Sequence, residues 1–193
     1  HFIHHLNPTT GAAGFVMANG SMSSNTSSEW EIRKRIIQDW LVDCMVALPS
    51  QLFYSTMIPS CLWFLSKNKS NRNDTILFID AREMWEMISR KNRALTSEDI
   101  EKITTTYHNW KKQDGDYKDV AWFCKSAKMG EVEKNDFILT PGRYVWVALS
   151  EDDDETFEAK MAQYTQELRE QMQQEKELDE RIKANLESIG YKI

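Results

Sequence analysis

Only three cysteines occur in the 193 residues and none forms a C-x-x-C pair, so neither a disulfide scaffold nor a zinc ribbon has a basis in this chain. Cys44 and Cys61 lie inside apolar runs, where a reduced, buried thiol is the ordinary occupant. The seven glycines are scattered, which excludes a Walker-type loop and a G-x-G-x-x-G fingerprint. The four prolines (Pro8, Pro49, Pro59, Pro141) are never adjacent. No stretch approaches the roughly 20 apolar residues of a membrane helix, and no charged-then-apolar leader precedes a small-residue cleavage site. The expectation is a soluble, cytoplasmic protein. What is present, 41% hydrophobic and 28% charged residues, is enough for one sizeable core with an appendage, and excludes collagen and wholesale disorder.

Charge is unevenly placed. Residues 151–193 hold 13 acids against 6 Lys or Arg, whereas residues 1–150 hold 17 acids and 18 bases, so the acidity belongs to the tail and the body stays electrostatically open to DNA. The start, residues 1–6, reads as the last turns of a helix stopped by Asn7-Pro8. Residues 14–18 form a short apolar run closed by Asn19-Gly20, expected to be a strand buried on both faces. Ser28 to Glu31 has the spacing of a capping box, with Trp30, Ile32, Ile36, Ile37 and Trp40 as the buried face of the helix it opens. Residues 41–48, 59–65 and 75–80 are almost wholly apolar and predict three strands, the first two joined as a hairpin by Pro49 to Ile58. This is the edge of an α/β sheet. A second capping box, Thr96 to Asp99, opens a helix with Ile100, Ile103, Tyr107 and Trp110 on one face. Residues 120–150 read as irregular. From about Asp154 to Ser188 one long polar helix is expected, with a narrow apolar stripe that includes Phe157, Met161, Tyr164, Leu168, Met172, Leu178, Ile182, Leu186 and Ile189. The resulting division is 1–95, 96–150 and 151–193.

Candidate chemistry is sparse. His1, His4 and His5 share a helical face without an Asp, Glu or Cys to complete a metal site, and read as a helix surface. His108 has no Ser or Cys nucleophile in a recognisable elbow. The informative element is the connection from Leu48 to Pro59, which sets Phe53 and Tyr54 side by side in a polar turn. Exposed there, either ring would form a stacking platform for a planar ligand such as an unpaired base. The pattern alone leaves open whether they fold back on the core.

Residues 6–25 (Leu-Asn-Pro-Thr-Thr-Gly-Ala-Ala-Gly-Phe-Val-Met-Ala-Asn-Gly-Ser-Met-Ser-Ser-Asn), 41–49 (Leu-Val-Asp-Cys-Met-Val-Ala-Leu-Pro), 51–56 (Gln-Leu-Phe-Tyr-Ser-Thr) and 139–145 (Leu-Thr-Pro-Gly-Arg-Tyr-Val) closely resemble the modification subunit of type I restriction-modification systems, an adenine-specific DNA methyltransferase. The resemblance runs from His1 to about Val145. It implies the C-terminal part of a Rossmann-like, S-adenosylmethionine-dependent methyltransferase sheet ending in a β-hairpin and followed by the long helix. It further implies that Phe53, with Tyr54 as second choice, stacks on a flipped adenine, and that DNA, a specificity subunit and a restriction subunit are the partners. The long helix would dock the specificity subunit, with a homomeric coiled coil or an intramolecular flap as the alternatives. Arg143, in the Thr140 to Arg143 turn, is a weak candidate for a DNA phosphate contact. The departure from the family is that neither the glycine-rich cofactor loop nor an Asn-Pro-Pro-Phe tetrapeptide occurs here. The chain is therefore expected to be a C-terminal portion with no catalytic residues or metal site of its own, and inactive alone; the alternative is a non-catalytic interaction module that docks a specificity subunit.

Overall fold

In the computed structural model, residues 2–69, 72, 74–112, 115–146 and 157–188 are described, and the chain divides into two units, His1–Leu149 and Ser150–Ile193. The first begins with α1 (Phe2–His5), β1 (Ala12–Ala18), α2 (Ser27–Gln38), β2 (Val42–Ala47), β3 (Ser60–Ser66) and β4 (Thr75–Asp80). A small ribbon, β5 (Glu86–Met87) and β6 (Arg93–Ala94), then leads to α3 (Ser97–Lys111), β7 (Cys124–Lys128), α4 (Met129–Lys134) and α5 (Gly142–Val145). The five-stranded sheet has the order β1-β3-β2-β4-β7; only the β2–β4 pair is parallel.

The apolar runs at 42–47 and 75–80 are continuous because β2 and β4 lie inside the sheet with both faces covered. Successive side chains alternate between two cores. Met45, Ile76 and Phe78 pack with Ile37, Trp63 and Tyr144, while Cys44, Val46, Leu77 and Ile79 pack with Trp110 and Phe123. The cysteines are free and buried, and burial raises each thiol pKa.

Several expectations are corrected. The run at 14–18 is not buried on both faces: β1 is the edge strand, and Val16 and Met17 are exposed. Ser28 does not cap α2, whose N-cap is Thr26; the Thr26 side chain makes no capping bond, and its hydroxyl accepts a hydrogen bond from Ser24 Oγ at 3.3 Å. On that helix Ile32 is exposed, and Arg33 takes a buried place beside Ile37, donating from Nε to Phe137 O at 2.9 Å and from Nη1 to Ser24 O at 2.8 Å. Trp40 is also exposed, in a left-handed turn (φ 60°) that ends the helix. The stretch 120–150 is not irregular throughout: Cys124–Lys128, Met129–Lys134 and Gly142–Val145 are regular elements, and residues 147–150 lie outside the described residues. β7 reads as loop because it is polar, yet Lys125 is buried by pairing its Nζ with Glu131 at 3.0 Å.

The Thr96–Asp99 capping box forms as expected: Asp99 N donates to Thr96 Oγ1 at 3.0 Å and Thr96 N donates to Asp99 Oδ2 at 2.9 Å. Its helix carries Tyr107 onto a buried polar cluster, where the phenol donates to Asp43 Oδ2 at 2.7 Å and Arg72 Nη1 donates to Asp43 Oδ1 at 3.1 Å. Lys69, also buried, donates to the carbonyls of Val42 and Thr75, both at 2.7 Å. Burial lowers the Lys69 pKa from 10.5 to about 8; Asp43 opposes that shift and Arg72 adds to it. Between those values the folded chain binds fewer protons than the unfolded chain, so the stability attributable to this lysine rises with pH. Wild type should accordingly gain stability relative to Lys69→Met as pH is raised from 8 to 10.5 in urea titrations. A pH-independent difference between the two would refute the shift.

The second unit contains α6 (Phe157–Ser188), matching the expected long helix; residues 154–156 lie outside the described residues. Met161, Leu168, Met172, Leu178 and Ile182 of the stripe are exposed, whereas the side chains of Phe157, Tyr164, Leu186 and Ile189 are outside the described set. Among the described residues no helix is long and apolar enough to cross a membrane.

Candidate nucleic-acid interface

β1, β2 and β4 run in one direction, so their carboxyl ends share an edge of the sheet, the edge at which open α/β sheets place their ligands. The 48–59 connection sits there. Leu48 N donates to Ser60 O at 2.9 Å, closing the hairpin, and the chain then turns through Gln51 in the left-handed region (φ 66°). Beyond it Phe53 and Thr56 form an isolated bridge, with Thr56 N donating to Phe53 O at 3.3 Å. This short turn keeps both rings off the core: Phe53 is 41% exposed and Tyr54 89%. Phe53 lines a cavity of about 370 Å³ together with Val16, Met17, Ala18, Thr56 and Ile58, so one ring faces a cleft against the edge strand. Tyr54 is not part of that lining.

At the end of β4, Arg82 clamps Asp80 side-on, from Nε to Oδ1 at 2.8 Å and from Nη2 to Oδ2 at 2.6 Å, and that hydrogen bonding raises the Arg82 pKa. A Cβ on Gly142 would lie 2.7 Å from Arg82 Nη2, so the glycine admits α5 against this pair. Arg143, exposed on α5, directly follows the glycine that meets Asp80 and Arg82. Trp122 and Trp146, both exposed, meet nearby with ring centroids 4.5 Å apart. Asp80 N donates to Phe123 O, which places Trp122 at the same sheet edge.

Arg93 and Trp85 were not singled out from the sequence. Arg93 N donates to Gln51 O at 3.0 Å, its Nη1 donates to Ser50 Oγ at 3.3 Å, and its guanidinium lies 3.8 Å from the centroid of the Trp85 ring. No local signal marks a bond spanning 43 residues of chain. A larger cavity of about 550 Å³ opens between β1 and α2 and is lined mainly by carbon, from Phe15, Met17, Ile32, Ile36 and Trp63, with Arg33 at its wall. His4 and His5 pack edge to face, His1 is outside the described residues, and among the described residues no group of three His, Cys, Asp or Glu is arranged for a metal.

A Rossmann-like half-sheet with an aromatic-bearing loop at its carboxyl edge defines the class, and residues 1–153 match the N-6 DNA Methylase family, to which the chain belongs. Over 191 residues, 99% of its length, it is 51% identical to the methylase subunit of the type I restriction enzyme HindI from Haemophilus influenzae. It is 42% identical over 193 residues, again 99% of its length, to the MjaIX type I methylase subunit of Methanocaldococcus jannaschii. The chain spans only 42% and 34% of those two relatives. The type I restriction-modification methyltransferase subunit of Streptococcus thermophilus superposes with a TM-score of 0.64 at 28% identity, covering 74% of this chain and 28% of that one. The EcoKI M protein shares the fold, with a TM-score of 0.52 at 14% identity over 74% of this chain and 38% of that one.

Enzymes of this family use S-adenosylmethionine, which needs partners for a ribose diol, an ammonium, a carboxylate and an adenine. Among the described residues, the two carboxylates nearest the sheet interior are already engaged, and Glu29 is the one carboxylate that lines the larger cavity. Both oxygens of Asp80, which closes β4, are engaged by Arg82, those of Asp43 by Arg72 and Tyr107, and the larger cavity is lined mainly by carbon.

Proposed function

We propose that this chain is the C-terminal part of a DNA adenine methyltransferase subunit of a type I restriction-modification complex, whose complete form transfers a methyl group from S-adenosylmethionine to the exocyclic amine of adenine. The chain supplies one wall of the target-base pocket. Phe53 is the ring on which the extruded adenine stacks and Tyr54 is the second choice; a base rotated out of a duplex loses its stacking, and an aromatic face restores about 1–3 kcal/mol of it. Arg143 contributes a backbone phosphate contact at the same edge. The observation that carries this reading is the half-exposed Phe53 ring lining the cleft beside β1.

The groups that hold the donor and polarise the adenine amine would come from outside this chain, because its sequence has neither the glycine-rich loop nor the Asn-Pro-Pro-Phe tetrapeptide. The chain alone is therefore inactive in this reading. Its α6 would dock the specificity subunit, which reads the DNA sequence, while the restriction subunit completes the complex. Five half-exposed apolar side chains on a polar 32-residue helix support that role, because such a helix gains little stability without a partner surface.

The test is transfer of tritiated methyl groups to duplex DNA. The complete polypeptide carrying this chain, assembled with its specificity subunit, should label adenine, and the 193-residue chain should not. Labelling by the isolated chain would overturn the division of roles, and a complete complex without activity would overturn the function.

A further inference from the structure

The β5–β6 ribbon is not built by the hydrophobic core. Met87 and Ile88 are 49% and 52% exposed. Its shape comes from a tight polar turn in which Asn92 N and Lys91 N donate to Ser89 Oγ at 3.0 and 3.3 Å, and Ile88 N donates to Asn92 O at 3.0 Å. That turn presents two adjacent exposed cations, Arg90 and Lys91, at the tip of a two-stranded ribbon. At the base of the ribbon Met84 and Leu95 pack against the core, and Arg93 ties it to the 48–59 connection by reaching Gln51 and Ser50 while stacking on Trp85.

We infer that this ribbon grips the DNA backbone, with Arg90 and Lys91 on phosphates flanking the target base and Arg93 as the positioning residue that sets the Phe53 loop in register with that grip. The inference rests on the DNA-methylating reading above. Backbone contacts orient a protein on a duplex without reading its sequence, which suits a subunit whose site choice is made by another polypeptide. A two-stranded ribbon is narrow enough to enter a groove. Segment 82–94 carries Arg82, Arg90, Lys91 and Arg93 against Glu83 and Glu86, and Arg82 is bound to Asp80, so the cations offered outward are those at the turn. Arg93, already hydrogen-bonded and stacked, serves as a strut.

The experiment uses the complete methylase assembled with its specificity subunit. The double substitution Arg90→Ala/Lys91→Ala should flatten the plot of log affinity against log salt by about 1.8, corresponding to two phosphate contacts, and weaken specific and unrelated duplexes alike. Arg93→Ala, with Arg93→Gln as a second variant should the first misfold, should leave DNA affinity near wild type. It should lower kcat by about tenfold to a hundredfold, the cost of a misplaced reacting group. The fluorescence rise of 2-aminopurine at the target position should also be smaller in these variants, a signature that simple loss of stability would not produce. An unchanged salt slope in the double variant overturns the phosphate grip. Failure of that variant to assemble with the specificity subunit makes the ribbon a protein contact and overturns it too, and wild-type kcat in both Arg93 variants overturns the strut. If the wild-type complex neither binds DNA nor methylates it, the functional reading itself fails and takes this inference with it.

Discussion

Replacing Phe53 with alanine in the complete methylase should lower methyl transfer about 5- to 150-fold, the equivalent of losing 1–3 kcal/mol of base stacking. The fold should survive, because the ring is 41% exposed and its loss changes stability by no more than about 1 kcal/mol. Phe53→Trp should retain most activity, since the stacking face is preserved, whereas Phe53→Leu should resemble alanine. Tyr54→Ala is expected to cost less, because Tyr54 does not line the cleft that Phe53 faces. Initial rates of methylation, with thermal unfolding as the control, decide the matter. Full activity in Phe53→Ala removes the stacking role, and a larger loss in Tyr54→Ala transfers it to the neighbouring ring.

Asp43→Ala should be the most damaging single change to stability, costing about 3–5 kcal/mol in urea unfolding of the chain. The carboxylate is 1% exposed and accepts from Arg72 and from Tyr107, joining β2, the β3–β4 connection and α3. Truncation takes the carboxylate from the Arg72 guanidinium, which is 7% exposed and lies 4.4 Å from the centroid of the Trp110 ring. Tyr107→Phe removes one hydrogen bond but leaves the ion pair, and should cost about 1–2 kcal/mol. Replacing Asp43 and Arg72 together with leucine and methionine should recover much of the loss, because the expensive element is an unpaired buried charge rather than the absence of a pair. A loss below about 1 kcal/mol for Asp43→Ala would show that water or a rearranged loop compensates Arg72.

The parts of the fold that could be read in advance share a local cause. Residues 42–47 and 75–80 are recognisable strands because burial on both faces demands an apolar residue at nearly every position. The Thr96–Asp99 box is legible because its two hydrogen bonds lie within one turn. The residues that misled share the opposite property. Val16 and Met17 look interior by composition, yet β1 sits at the sheet edge. Arg33 and Lys125 look like surface residues, yet Arg33 donates to the carbonyls of Phe137 and Ser24, and Lys125 pairs with Glu131, inside the fold. β7 went unrecognised because its pairing with β4, not its composition, makes it a strand. In the candidate interface the two rings at 53 and 54 were found from a turn between apolar runs, but their exposure and the cleft against β1 came only from the fold.

By itself, then, the sequence determined the family, the interior strands, the long polar helix and the pair of aromatics in the hairpin connection, since each is written in runs of neighbouring residues. Tertiary structure alone decided that Phe53 rather than Tyr54 faces the cleft, that Asp43 binds Arg72 and Tyr107, and that Arg93 reaches Ser50. The physical reason is that burial and hydrogen-bond partnership are properties of chain segments brought together from far apart. Periodicity and capping report the local environment of a residue, and a partner 29, 43 or 64 positions away leaves no trace in it.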